Sequence, residues 1–115
     1  MIIRKKLQSP SKKVVVLVCE GYINTGENAV AFENAVDQEL QAKNYNLILN
    51  LAAVSNIDVT GLGKIIASYQ KTKKSGGCTK LLSPSMKIWR LLRSLNLLSV
   101  FEIFTDENEA VKSFD

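Results

Sequence analysis

The chain has 115 residues, 46% hydrophobic and 23% charged, with 15 Lys and Arg, 11 Asp and Glu, no His and a net charge of +4. This is the size and balance of one ordinary globular domain, long enough to fold without a metal or disulfide staple. The absence of histidine excludes an imidazole-based triad, and two distant cysteines with no CxxC partner exclude a structural zinc site.

In chain order, residues 2–7 are a candidate strand, and Ser9-Pro10-Ser11 reads as a turn. Residues 14–19 form a continuous aliphatic run, the pattern of a strand buried on both faces. From Asn28 to Lys43, Ala29, Phe32, Val36 and Leu40 recur at helical spacing, with Glu33, Asp37 and Glu39 on other faces. A strand follows over 46–51 around Leu47-Ile48-Leu49. Leu62, Ile65, Ile66 and Tyr69 then make a helical stripe that Gly76-Gly77 stops. Residues 79–82 are a short strand closed by Ser83-Pro84. Ser85 opens a helix with an apolar face of Ile88, Leu91, Leu92 and Leu95, stopped near Asn96. Residues 100–104 are a last strand, and Ala110, Val111 and Phe114 line a terminal helix begun near Asp106. Strands alternating with helices predict an α/β fold: one domain over 1–115, with a mixed, mostly parallel sheet of four to five strands and about four helices. The expected core includes Val15, Val16, Leu17, Leu47, Leu49, Ile65, Tyr69, Leu92 and Phe101.

No apolar run approaches the roughly 20 residues that span a bilayer, so no membrane span is expected. Met1-Ile2-Ile3-Arg4-Lys5-Lys6 lacks the apolar core and cleavage site of a secretory signal, which points to a cytoplasmic protein. Cys19 and Cys78 then read as reduced thiols. Basic residues gather at Arg4-Lys5-Lys6, at Lys12-Lys13 and between Lys64 and Arg93. Lys71, Lys73 and Lys74 fall on a helix face that reads as solvated, and no nucleic-acid reader motif accompanies them. No nucleic-acid partner is expected.

Catalytic patterns are thin. Gly61-Leu62-Gly63 is a GxG with Ile66 where GxGxxG needs its third glycine. Gly21 and Gly26 have P-loop spacing, but Glu27-Asn28 stands in place of the Lys-Ser/Thr pair that holds phosphate and magnesium. Asp58 is a single carboxylate in a strand-to-helix turn, without a second acid to share proton transfer. The expectation is a protein that binds, with no catalytic residues, metal or cofactor. The informative segment is Asn56-Ile57-Asp58-Val59-Thr60-Gly61-Leu62-Gly63. Asp58 is placed to cap the helix, which accounts for it in purely structural terms. Thr60 falls in the first turn beside Gly61, within reach of another protein. A phosphate there would meet the positive end of the helix dipole.

The stretch from Leu47 through Asn56-Ile57-Asp58-Val59-Thr60-Gly61-Leu62-Gly63 resembles the signature of STAS domains, and of the bacterial anti-sigma factor antagonists in particular. The resemblance continues through Lys74-Ser75-Gly76-Gly77, Leu82-Ser83-Pro84, the 88–95 helix, Leu97-Leu98-Ser99-Val100-Phe101 and Asp106-Glu107-Asn108-Glu109-Ala110; Gly21 matches the glycine that ends the second strand. It implies a protein that binds an anti-sigma factor which is also a serine/threonine kinase, releasing the sigma factor. The kinase phosphorylates a hydroxyl residue at the start of the second long helix, which breaks the complex, and a PP2C-type phosphatase reverses it. The pattern Asp-Ser-Ser/Thr-Gly-Leu places that acceptor at Thr60, with Asp58, Gly61 and Leu62 matching and Val59 replacing the first hydroxyl. The implied partner surface is Asn24, Asp58, Val59, Thr60, Gly61 and Leu62. Asn24 and Asn50 stand where acids are common, and a threonine acceptor is commoner in scaffold-type relatives. The alternative is therefore an unphosphorylated STAS scaffold module of a larger signalling or transport complex.

Overall fold

The computed structural model describes residues 2–8, 12–24 and 26–115, so the expected turn at 9–11 lies outside the described residues. The elements are β1 (Ile2–Gln8), β2 (Lys13–Ile23), α1 (Glu27–Gln41), β3 (Asn46–Ile57), α2 (Val59–Lys74), β4 (Cys78–Leu82), α3 (Met86–Ser94), β5 (Ile103–Phe104) and α4 (Glu107–Lys112). They form one five-stranded sheet in the order β1-β2-β3-β4-β5. β1 runs antiparallel to β2, and β2 through β5 are parallel. The expected mixed, mostly parallel α/β architecture is the observed one.

Alternation along the strands divides the core between two faces. Val15, Leu17, Leu47, Leu49 and Leu81 face α1, α2 and α3, whose Phe32, Val36, Leu62, Ile65, Ile88 and Leu92 complete the larger cluster. Val14, Val16, Ile48 and Leu82 face the other way, onto Ala110, Val111 and Phe114 of α4 and its end. Residues 14–17 are therefore buried from both sides, which is why no polar position interrupts them. Tyr69, expected deep in the core, is half-buried and packs its ring edge-on to Phe101 at 5.2 Å.

Two strands extend beyond the lengths read from sequence. β2 runs to Ile23 and β3 to Ile57, paired as far as Ile23 with Ile57. The register shifts twice on the way, between Val18 and Glu20 and between Gly21 and Tyr22. Each shift inserts an extra residue into β3, and polar side chains serve the disturbed backbone. Asn50 Oδ1 accepts from the Ala52 N–H at 3.0 Å, and Ser55 Oγ donates to the Gly21 carbonyl at 3.3 Å. Gly21, matched above to a strand end, thus sits inside β2 at φ +86°, a left-handed geometry that favours glycine. At the other extreme, the last strand shrinks to Ile103–Phe104. Val100 lies in the turn before it, while Phe101 still enters the core. Leu95, expected on the buried face of α3, is its C-cap and is exposed.

Candidate functional site

The parallel strands end along one edge of the sheet, the place where open α/β sheets present their binding residues. There the β3–α2 turn is built from its cap upward. Asp58 has extended backbone, and its Oδ1 accepts the Gly61 N–H at 2.8 Å, closing the first turn of α2. The Leu62 N–H reaches the Asp58 carbonyl at 2.9 Å as the first helical bond. From the same residue the backbone N–H donates to the Ile23 carbonyl at 3.3 Å, tying the turn to the end of β2.

Gly61 makes that tie possible. A Cβ at this position would run into the Ile23 carbonyl oxygen and come within 2.7 Å of its carbon. The helix start therefore rests directly on backbone, and the glycine is required for close approach rather than for an unusual φ. Gly63 has open space around it.

This seating sorts the six residues expected to form the partner surface. Gly61 and Leu62 face inward, Leu62 as part of the core, and support the turn from below. Val59, Thr60 and Asn24 are exposed, and Asp58 is half-buried in its cap. No acidic residue follows the Asp58 cap in the first turn of α2, so that carboxylate is the acid set at the positive end of the helix dipole beside Thr60. Asn50 belongs elsewhere: it lies within β3 at the first register shift, seven residues ahead of the observed strand end at Ile57.

Two residues that sequence reading passed over share this edge. Tyr22 near the end of β2 is 54% exposed and Met86 at the start of α3 is 63% exposed, with Val59 at 88% between their strands. All three are large exposed side chains near the ends of neighbouring strands. Their separation in the chain hid the grouping.

The chain belongs to the STAS domain family. The family model for the STAS domain matches residues 8–110. A Thermotoga maritima protein that carries the name anti-sigma factor antagonist is 36% identical over 100 residues, covering 86% of this chain and 88% of that protein. The crystal structure of a Thermotoga maritima protein that carries the same name superimposes with a TM-score of 0.84 at 29% identity, covering 96% of this chain and 93% of the other. The Bacillus cell fate determinant SpoIIAA in its phosphorylated form shares the fold at 17% identity, with a TM-score of 0.73 over 98% of this chain and all of that one. Within this STAS domain, no cluster of metal-ligating side chains occurs among the described residues. No helix among them is long and apolar enough to cross a membrane. Cys19 and Cys78 are both free thiols. Burial pushes the Cys19 thiol up to about 12, which makes it inert at neutral pH.

Proposed function

We propose that this STAS domain is an anti-sigma factor antagonist: it works by binding an anti-sigma factor kinase, and phosphorylation at Thr60 switches it off. The observation that carries the reading is the exposed Thr60 in the first turn of α2, held rigidly by the Asp58 cap and the Gly61 seat. Support comes from relatives named anti-sigma factor antagonists and from SpoIIAA, a protein of the same fold known in a phosphorylated form. The contacting surface is Asn24, Val59 and Thr60, ordered by Asp58, Gly61 and Leu62, and enlarged by Tyr22 and Met86.

A phosphate adds about −1.5 to −2 charge, which the N-terminal end of α2 tolerates without unfolding. The surface, however, changes from apolar and neutral to anionic. Burying such a group against a packed partner without a matching cation costs several kcal/mol, and about 3 kcal/mol already weakens binding more than a hundredfold. A PP2C-type phosphatase would reset the domain. Regulation here is by association, with no reaction catalysed by the chain.

The test is intact mass after incubation with ATP and an anti-sigma kinase from the same genome. A single added phosphate on the wild type and none on Thr60→Ala is the expected result, with Thr60→Ala still binding the kinase. A wild type that takes no phosphate, or a variant that takes as much, overturns the switch and leaves the unphosphorylated scaffold.

A further inference from the structure

α3 directs Ile88 and Leu92 into the core and leaves Lys87, Arg90 and Arg93 outside, with no acidic residue along its length. Between this helix and the far end of β3 lies a cleft of about 390 Å³. Ile57, Ile88 and Leu91 give it an apolar lining, Lys87 and Arg90 bring two cations, and Asn56 and Ser94 add neutral polar groups. Three lysines elsewhere are matched: Lys64 with Glu33, Lys71 with Asp37 and the buried Lys80 with Glu102. Arg93 lies over the Trp89 ring. Lys87 and Arg90 have neither an ion pair nor a side-chain hydrogen bond among the described residues.

We propose that this cleft docks an acidic segment of a partner protein, with an apolar side chain seated on Ile57, Ile88 and Leu91 and carboxylates paired to Lys87 and Arg90. The proposal deepens the protein-binding reading above by adding a second contact surface, and it does not depend on Thr60. Lys87 and Arg90 are three residues apart on one helix, so they stand one turn apart on the same side. They present two spaced charges above a floor of low dielectric, which strengthens their field toward an incoming anion. Because no acid among the described residues pairs with them, a partner's carboxylates have no such ion pair to displace.

The chemistry favours a protein segment over the other anions. A compact phosphate would leave the apolar lining of Ile57, Ile88 and Leu91 unused and needs converging donors, whereas Lys87 and Arg90 stand a helical turn apart. A lipid surface needs the apolar face of the helix to insert, and α3 has committed that face to the core.

The probe is a short synthetic helix of glutamate and leucine, with glutamates one turn apart, followed by backbone amide chemical shifts of the whole domain. Saturable shifts confined to Asn56, Ile57 and α3 are expected. Lys87→Glu with Arg90→Glu should weaken binding by about tenfold or more, since both charge pairs become repulsive. Lys12→Glu with Lys13→Glu makes the same change in net charge at another place and should leave binding intact. Failure to saturate, shifts centred on Lys12 and Lys13, or equal loss in both double variants overturns the proposal. Binding to phosphatidylglycerol vesicles or inorganic phosphate, with the peptide inert, also overturns it.

Discussion

Replacing Gly61 by alanine adds a single methyl group where the start of α2 touches the end of β2. The new Cβ meets the Ile23 carbonyl oxygen and lies 2.7 Å from its carbon and 2.9 Å from its Cγ2. The Ile23 carbonyl is backbone and a Cβ has no rotamer, so no side-chain change relieves this contact and the helix end must retreat. Overpacking of this kind costs about 1–3 kcal/mol. Retreat also stretches the 3.3 Å bond from the Asp58 N–H to Ile23. Losing that bond adds about 1 kcal/mol, and the better helix propensity of alanine returns about 1 kcal/mol. The net loss is about 1–3 kcal/mol. Gly63→Ala is the internal control: nothing lies within 4 Å of its added Cβ. In that helical position alanine should stabilise by about 0.5–1 kcal/mol. Urea unfolding of the two variants beside the wild type reads both numbers, provided the slopes are equal. Midpoints that move in the same direction, or a Gly61→Ala loss below about 0.5 kcal/mol, refute the seating argument, since propensity alone would then explain the data.

Three further outcomes follow from the packing. Asp58→Ala should cost about 1 kcal/mol by thermal unfolding, and Asp58→Asn close to nothing, because Asn caps as well as Asp; a larger loss in Asp58→Asn would mean that charge, not the cap, is what the turn needs. Lys80 is only 7% exposed, paired to Glu102 at 2.8 Å, bonded to Ser113 Oγ at 2.8 Å and placed 4.3 Å from the Phe114 ring centre. Lys80→Ala should cost about 2 kcal/mol and expose the amides of α4 to hydrogen exchange, while Lys80→Met, which keeps the apolar stem, should cost less than about 1 kcal/mol; similar losses in both would assign the effect to the charge. For the thiols, folding raises the Cys19 pKa from the ordinary 9.0 to about 12, so the folded state holds that proton more tightly. Its contribution to stability is therefore complete below pH 9 and declines as pH rises toward 12. Iodoacetamide at neutral pH should alkylate the half-buried Cys78 first and Cys19 only on unfolding, and equal rates would contradict the burial.

The sequence by itself determined the order and kind of the elements, because burial writes a period into the chain. Residues 14–17 and 47–49 had to be central parallel strands, since only a strand covered on both faces leaves no polar position. Asp58 as a cap and Thr60 in the following turn were also legible, because capping is a local hydrogen bond between residues three apart. The far half of β3 was not. Two register shifts break its period of two, so that the core-facing positions run Leu47, Leu49, Leu51, Val54 and Ile57. No simple periodicity reports such a pattern, and pairing with β2 alone sustains it. The role of Gly61 was equally hidden, since Ile23 lies far away in the chain and a glycine chosen for close approach looks like any other. Leu95 and Val100 were misplaced because helical and strand spacing continue past the point where the chain turns away from the core. Tertiary structure alone brought Tyr22, Val59 and Met86 to one edge and left Lys87 and Arg90 unmatched beside it. Such groupings depend on which strands become neighbours, and that is decided by the packing of the whole sheet rather than by any local pattern.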